Sequence, residues 1–148
     1  MNDPVSAFEE SPLHILLIED DDAMRAMLAE ALRHEGWKVT ECENAYRWLQ
    51  YCMFDTGENP ASHDDAYDVV ISDICMPGMS GLEAMTALKD LCLETPCPPT
   101  ILITAFGDEE THQQAKELGA AMILDKPFDT KDLINSVRNI VIHEDNQG

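Results

Sequence analysis

The chain has 148 residues, in which 29 Asp and Glu face 9 Lys and Arg for a formal charge of -20. This length suits one domain with a substantial core, and the acidic balance argues against direct nucleic-acid binding, which rewards a basic face. No apolar stretch reaches the ~20 residues of a spanning helix, so no membrane segment is expected.

Cys42, Cys52, Cys75, Cys92 and Cys97 are odd in number and form no C-x-x-C pair. Neither a disulfide framework nor a zinc site is indicated, and five reduced thiols in a cytoplasmic protein are expected. Residues 1–12 read as a polar, flexible leader without the basic-then-apolar pattern of a secretory signal.

From there, short apolar runs alternate with amphipathic stretches. A strand is predicted over 14–18, followed by a helix from Asp22 with Met24, Met27, Leu28, Ala31 and Leu32 on its core face. Gly36 stands where a helix ends. A short strand over 38–41 leads to a helix near Asn44, a good N-cap. Residues 54–66, with Gly57, Asn59, Pro60, Ser62, Asp64 and Asp65, read as an extended exposed loop.

A third strand is predicted over 68–72, then turn chemistry from Met76 to Gly81, then a helix over 82–93 stopped by Pro96, Pro98 and Pro99. Strand 100–104 and helix 108–118 follow, the helix ending at Gly119. The last pair is strand 122–124 and a helix over 130–143, with Leu133, Ile134, Val137, Ile140 and Val141 facing the core. Residues 144–148 read as a polar tail. Alternating β and α elements specify a doubly wound, five-stranded parallel sheet with helices on both faces. The continuously apolar runs at 14–18, 69–72 and 100–103 suit strands buried on both sides.

Four of these runs end on polar residues. The first leads into Glu19-Asp20-Asp21-Asp22, the third into Asp73, the fourth into Thr104, and the fifth through Asp125 into Lys126. Parallel sheets gather ligands at the carboxyl ends of their strands, so these groups converge. Asp73 could cap a turn or act as a nucleophile that accepts a phosphoryl group. Asp21 and Asp22 fit a solvated helix start. Glu19 and Asp20 would lie close to Asp73, and at ~4 Å with an effective dielectric of ~20 two such charges repel by about 4 kcal/mol. A divalent cation relieves that repulsion, and Mg2+ suits carboxylates, waters and phosphate oxygens. Lys126 would contact the phosphoryl oxygens or pair with Asp73, and Thr104 would donate its hydroxyl to the phosphoryl group.

With the pieces 15–25 (ILLIEDDDAMR), 69–81 (VVISDICMPGMSG), 103–107 (ITAFG) and 126–128 (KPF) in place, the chain resembles the receiver domain of two-component response regulators over residues 12–143. The resemblance implies a flavodoxin-like sheet of order 2-1-3-4-5 with the receiver domain at 13–143. It implies Asp73 as phosphoacceptor, Glu19, Asp20 and Asp73 as Mg2+ ligands with the backbone carbonyl of Cys75, Thr104 as switch hydroxyl and Lys126 as phosphate contact. It also implies a cis Lys126–Pro127 bond. The phosphodonor would be a histidine kinase or histidine phosphotransfer protein. The output would be a downstream protein target or an output domain absent from this chain, reached through the face of the fourth helix, fifth strand and last helix, with Glu109, Glu110, Lys116, Glu117 and Arg138 on it. Such a chain is not a conventional enzyme; it phosphorylates itself from phosphohistidine and dephosphorylates itself.

One departure concerns the switch: Ile123 stands where the family carries an aromatic residue. Among rival readings, Asp20-Asp21-Asp22 offers the D-x-D of a haloacid-dehalogenase-like phosphatase, but that fold needs a further acidic pair on a strand after the lysine, where only a helix is predicted. A calcium loop from Asp20 would place Arg25 and Ala31 where Gly and Glu are required, and no Gly-rich turn follows the first strand as dinucleotide binding demands. His14, His34, His63, His112 and His143 are scattered and read as core or surface residues.

Cys75 and Phe106 occupy the family's two positions that govern water access to the phosphoryl group, and both are less polar than Asn or Glu. The phosphoryl group on Asp73 is therefore expected to be long-lived. Decay of the labelled protein at neutral pH, followed by intact-mass spectrometry, checks this; loss within seconds contradicts it.

Overall fold

The computed structural model describes residues 12–50, 66–74, 80–90, 98–105 and 109–147. The elements in chain order are β1 (His14–Ile18), α1 (Asp22–His34), β2 (Lys38–Cys42), α2 (Tyr46–Gln50) and β3 (Val69–Asp73). They continue as α3 (Gly81–Asp90), β4 (Thr100–Thr104), α4 (Glu109–Glu117), β5 (Met122–Asp125) and α5 (Thr130–Gln147). All strand pairs are parallel, as the alternating pattern predicts, and the order is β2-β1-β3-β4-β5, as the resemblance implies.

Side-chain alternation along the strands divides the core in two. Leu16, Ile18, Val70 and Leu102 point to one side, where Trp48 of α2, Ala84 and Met85 of α3, and Ala115 of α4 cover them. Ile15, Leu17, Val69, Ile71, Ile101 and Ile103 point to the other, under Leu28, Ala29 and Leu32 of α1 and Leu133, Val137 and Ile140 of α5. β1, β3 and β4 are buried throughout, whereas β2 and β5 are only partly covered. Edge position explains why those two strands carry weaker apolar runs.

Local signals behave as their chemistry requires. Gly36 and Gly119 adopt φ of 90° and 94° beyond α1 and α4, the left-handed closure that glycine makes without a Cβ penalty. Asn44 Oδ1 accepts the Tyr46 N–H at 3.0 Å, the expected cap. Ser80 and Glu83 form a reciprocal capping box, Glu83 N–H to Ser80 Oγ at 3.1 Å and Ser80 N–H to Glu83 Oε1 at 3.3 Å.

The structure revises some expectations. Met27 is half exposed, and Ala29 takes the buried place beside Leu28 and Leu32. At about 100° per residue, Met27 lies a full step to the far side of Leu28 from Ala29. The last helix runs on to Gln147 rather than ending at His143. The loop 54–66, except for Ala66, lies outside the described residues, as do the turn at 76–79, Pro96 and the leader through residue 11.

Gly81 opens α3 against the end of β3. A Cβ there would stand 3.1 Å from each of the Asp73 carbonyl oxygen, Ser72 Oγ and Leu102 Cδ2. Two of these belong to the strand end that carries Asp73, so relief requires moving α3 or β3. Gly81→Ala is expected to destabilise the domain by about 1 kcal/mol, overpacking outweighing the better helix propensity of Ala. Urea unfolding with an unchanged slope and a lowered midpoint is the expected result.

Candidate functional site

The register decides what meets at the carboxyl edge. Ile18 pairs with Ser72, so Glu19, one residue beyond β1, lies level with Asp73. Asp73 pairs with Ile103, which places Thr104 one step beyond it, and Thr104 pairs with Asp125. Lys126 follows, its N–H donating to the Thr104 carbonyl at 2.8 Å. The Lys126–Pro127 bond is cis, as the resemblance implies.

The carboxylates of Glu19, Asp20 and Asp73 each offer an oxygen within 4.8 Å of the other two. Glu19 and Asp73 are each only 2% exposed, whereas Asp20 faces solvent. Lys126 Nζ donates to Asp73 Oδ2 at 2.8 Å and stands 3.9 Å from Glu19 Oε1. Glu19 Oε2 accepts the Asp21 N–H at 3.2 Å, while Glu19 Oε1 is buried without a hydrogen-bond partner. A buried carboxylate oxygen left unbonded amid three acidic groups fits a hard, oxygen-seeking cation. Glu19, Asp20 and Asp73 are the side chains that would hold it. The carbonyl of Cys75 lies outside the described residues, and so does Phe106.

Protonation follows from the same geometry. Burial foremost raises Glu19 to about 7, helped by the neighbouring Asp73 charge, against the Asp21 N–H and the Lys126 ammonium, which pull it down. For Lys126, burial is the largest single influence and disfavours the ammonium. The hydrogen bond to Asp73 and the charges of Asp73, Glu19 and Asp20 together outweigh it and raise the pKa above the ordinary lysine value.

The remaining sequence candidates fall into place around this centre. Thr104 closes β4, 1% exposed. Ile123 pairs with Leu102 in mid-β5 and lines a surface groove of about 510 Å³ with Glu109, Glu110, His112, Gln113 and Lys116. Asp21 and Asp22 are exposed at the start of α1, the solvated reading. Arg138 departs from expectation: it bonds Glu35 just past α1 and lies over the Trp37 ring at 6.0 Å. The indole and the Glu35 carboxylate draw it to the α1 side, away from the α4–β5 groove. His14 is a buried histidine, with Nε2 2.7 Å from Thr40 Oγ1 and its ring 4.7 Å from that of Tyr67.

Two groups escaped the sequence reading. His112 of α4 pairs with Asp125, Nε2 to Oδ1 at 2.8 Å, and Arg25 reaches back to the β1–α1 turn. The i-to-i+3 spacing of Asp22 and Arg25 on one helix face signals an ion pair, but no local signal identifies a backbone carbonyl as a further partner.

A 2-1-3-4-5 parallel sheet with three carboxylates and a lysine at its carboxyl edge defines a doubly wound domain built around an anionic pocket. The family model for the response regulator receiver domain matches residues 15–138, and the chain belongs to that family, the receivers of two-component signalling. It is 36% identical over 131 residues to the transcriptional regulatory protein FixJ of Azorhizobium caulinodans, covering 88% of this chain and 54% of that one. It is 31% identical over 127 residues to CpxR of Escherichia coli K12, covering 86% of this chain and 48% of that one. The chain thus spans about half the length of these relatives.

Among solved structures, a receiver domain protein from Clostridium thermocellum is similar at 25% identity and TM-score 0.73, over 92% of this chain and 99% of that one. A CheY-like receiver from Methanospirillum hungatei shares the fold at TM-score 0.77 and 22% identity, over 93% of this chain and all (100%) of that one. A receiver is not a conventional enzyme. Nothing in these matches or in the topology supports a haloacid-dehalogenase-like phosphatase. Among the described residues no helix is long and apolar enough to cross a membrane.

Glu19 gives the metal-free protein a pH dependence with a definite sign. Its carboxyl ionises near 4.5 when exposed and near 7 when folded. Wild-type stability therefore falls as pH rises from 4.5 through 7, because the folded state resists losing that proton. Glu19→Gln removes the penalty and is expected to be more stable than wild type at pH 8 by on the order of 2 kcal/mol, with no advantage at pH 4.5. Urea titrations in chelator at both pH values measure it.

Proposed function

We propose that this receiver accepts a phosphoryl group on Asp73 from a phosphohistidine of a histidine kinase or histidine phosphotransfer protein in the cytoplasm. The observation that carries this reading is a single buried carboxylate at the end of a central strand. It has an ammonium at 2.8 Å and two more carboxylates clustered within 4.8 Å.

Glu19, Asp20, Asp73 and the Cys75 carbonyl would hold Mg2+, which when bound offsets the carboxylate charge and that of the phosphoryl oxygens. An Asp73 carboxylate oxygen attacks phosphorus; the new O–P bond forms as the N–P bond breaks, and the imidazole stays on the donor protein. Lys126 transfers its hydrogen bond from Asp73 Oδ2 to a phosphoryl oxygen, so its charge stabilises the group in transit. Water later hydrolyses the acyl phosphate and restores Asp73, and this self-phosphorylation and self-dephosphorylation is the extent of its catalysis.

The phosphoryl group then draws on Thr104, whose hydroxyl sits on the adjoining strand end. Thr104 holds the Lys126 N–H through its carbonyl and pairs with Asp125, which in turn binds His112 on α4. A pull at Thr104 therefore reaches the α4–β5 groove around Ile123. That groove would meet a downstream protein target or an output domain. Similarity to proteins named as transcriptional regulators favours an output that controls transcription.

Intact-mass spectrometry after incubation with acetyl phosphate and Mg2+ is expected to show one phosphoryl adduct on the wild type and none on Asp73→Asn. Lys126→Ala is expected to slow labelling on the order of 10²-fold. No adduct on the wild type, or an undiminished one on Asp73→Asn, overturns the assignment.

A further inference from the structure

We propose that Arg25 is a positioning residue that sets the cation affinity of the acidic pocket by fixing the turn that carries Glu19 and Asp20. The proposal rests on the reading of Glu19, Asp20 and Asp73 as the cation site.

Glu19 and Asp20 lie beyond the last residue of β1, and the parallel ladder ends with the bond from Glu19 N–H to the Cys42 carbonyl. Three backbone-directed bonds remain at this turn: Glu19 N–H to the Cys42 carbonyl at 3.0 Å, Arg25 N–H to the Asp21 carbonyl at 2.8 Å, and Asp21 N–H to Glu19 Oε2 at 3.2 Å. The last of these uses a carboxylate oxygen of the pocket itself, so it steadies the turn only while Glu19 keeps one rotamer.

Arg25 adds a side-chain hold on the carbonyl side of Glu19, which those backbone bonds leave untied. Its Nη1 donates to the Glu19 carbonyl at 2.8 Å, its Nη2 to Asp22 Oδ1 at 2.6 Å, and its Nε stands 3.6 Å from Glu41 Oε1. Glu41 Oε2 is in turn 3.0 Å from Arg33 Nη1, one helical stretch further along α1. One guanidinium thus joins the end of β1, the start of α1 and the end of β2. Its side chain is 17% exposed, so the bond to the Glu19 carbonyl is sheltered from water, whereas the bond to Asp22, itself 84% exposed, faces solvent. A rigid planar fork with donors on several edges can do this, and a lysine ammonium on a flexible stem cannot span the same three partners.

The consequence for the pocket is geometric. Three like charges must be held within a few ångströms before the cation arrives, and any slack in the turn lets Glu19 and Asp20 swing apart. Ordering them in advance moves that cost from metal binding into folding. Arg25 makes no contact with the carboxylate of Glu19 or Asp73 among the hydrogen bonds and ion pairs it forms at this turn, so its influence passes through the Glu19 backbone.

Calorimetric titration of the metal-free protein with MgCl2 tests the proposal, with circular dichroism to establish that each variant is folded. Wild type is expected to bind Mg2+ and Glu19→Gln to bind it more weakly. Arg25→Ala is expected to lose about tenfold in affinity, the range typical of residues that orient metal ligands. Arg25→Lys, whose ammonium extends far enough to donate to the Glu19 carbonyl but cannot also hold Asp22 and Glu41, guards against loss of the fold and is expected to fall between. Hydrogen exchange of the Asp21 amide in metal-free protein is expected to quicken in Arg25→Ala while the β3 amides keep their protection. If wild type and Glu19→Gln bind Mg2+ but folded Arg25→Ala binds as tightly as wild type, the role of Arg25 is refuted and the pocket stands. If wild type binds no Mg2+, the cation reading fails and this proposal with it.

Discussion

Everything at the carboxyl edge of this sheet turns on the repulsion among Glu19, Asp20 and Asp73, and on the single ammonium that answers it. Three negative charges cannot share a partly buried pocket at short range without compensation. Lys126 supplies one positive charge, bonded to Asp73 and almost 4 Å from Glu19. That leaves the pocket short of positive charge, and Glu19, raised foremost by its burial and further by the Asp73 charge, holds its proton more tightly. An acidic cluster so placed has the donor chemistry of a site for further cationic charge.

The fold earns its part in this by registering strand ends rather than by forming a cavity. β1, β3 and β4 are buried on both faces, so their backbones are fixed by core packing on either side. Asp73 and Thr104 are the terminal residues of two such strands, and Glu19 and Lys126 are the first residues past two others. The close seat of Gly81 against the Asp73 carbonyl adds a helix start behind that carboxylate's strand end. Asp73 and Thr104 are thus held by strands packed on both faces, while the acidic turn after β1 is tied by side-chain bonds as well as backbone ones.

This difference also explains what could be read from the residues in advance. Strand positions and the convergence of Glu19, Asp73, Thr104 and Lys126 follow from apolar runs and the alternation of β and α elements, whereas the strand order follows from the receiver-domain motifs. Met27 was misplaced because a helix face holds more than one apolar arc, and only packing selects between them. Arg138 was assigned to the wrong side because its attraction to Glu35 and Trp37 crosses a helix pair. Arg25 and His112 were missed for the same reason: their partners are a backbone carbonyl and a carboxylate from another element, and neither leaves a trace in the spacing of residue types.

The bond from His112 to Asp125 has an implication of another kind. Asp125 and Lys126 are consecutive, yet Asp125 binds α4 through His112 while Lys126 binds Asp73. The α4 face and the carboxylate pocket therefore meet at one peptide unit, itself held to the end of β4 by the Lys126 N–H bond to the Thr104 carbonyl. Substitutions at exposed positions of α4 therefore act on the carboxylates only through that junction, and the face and the pocket can be altered separately while it persists.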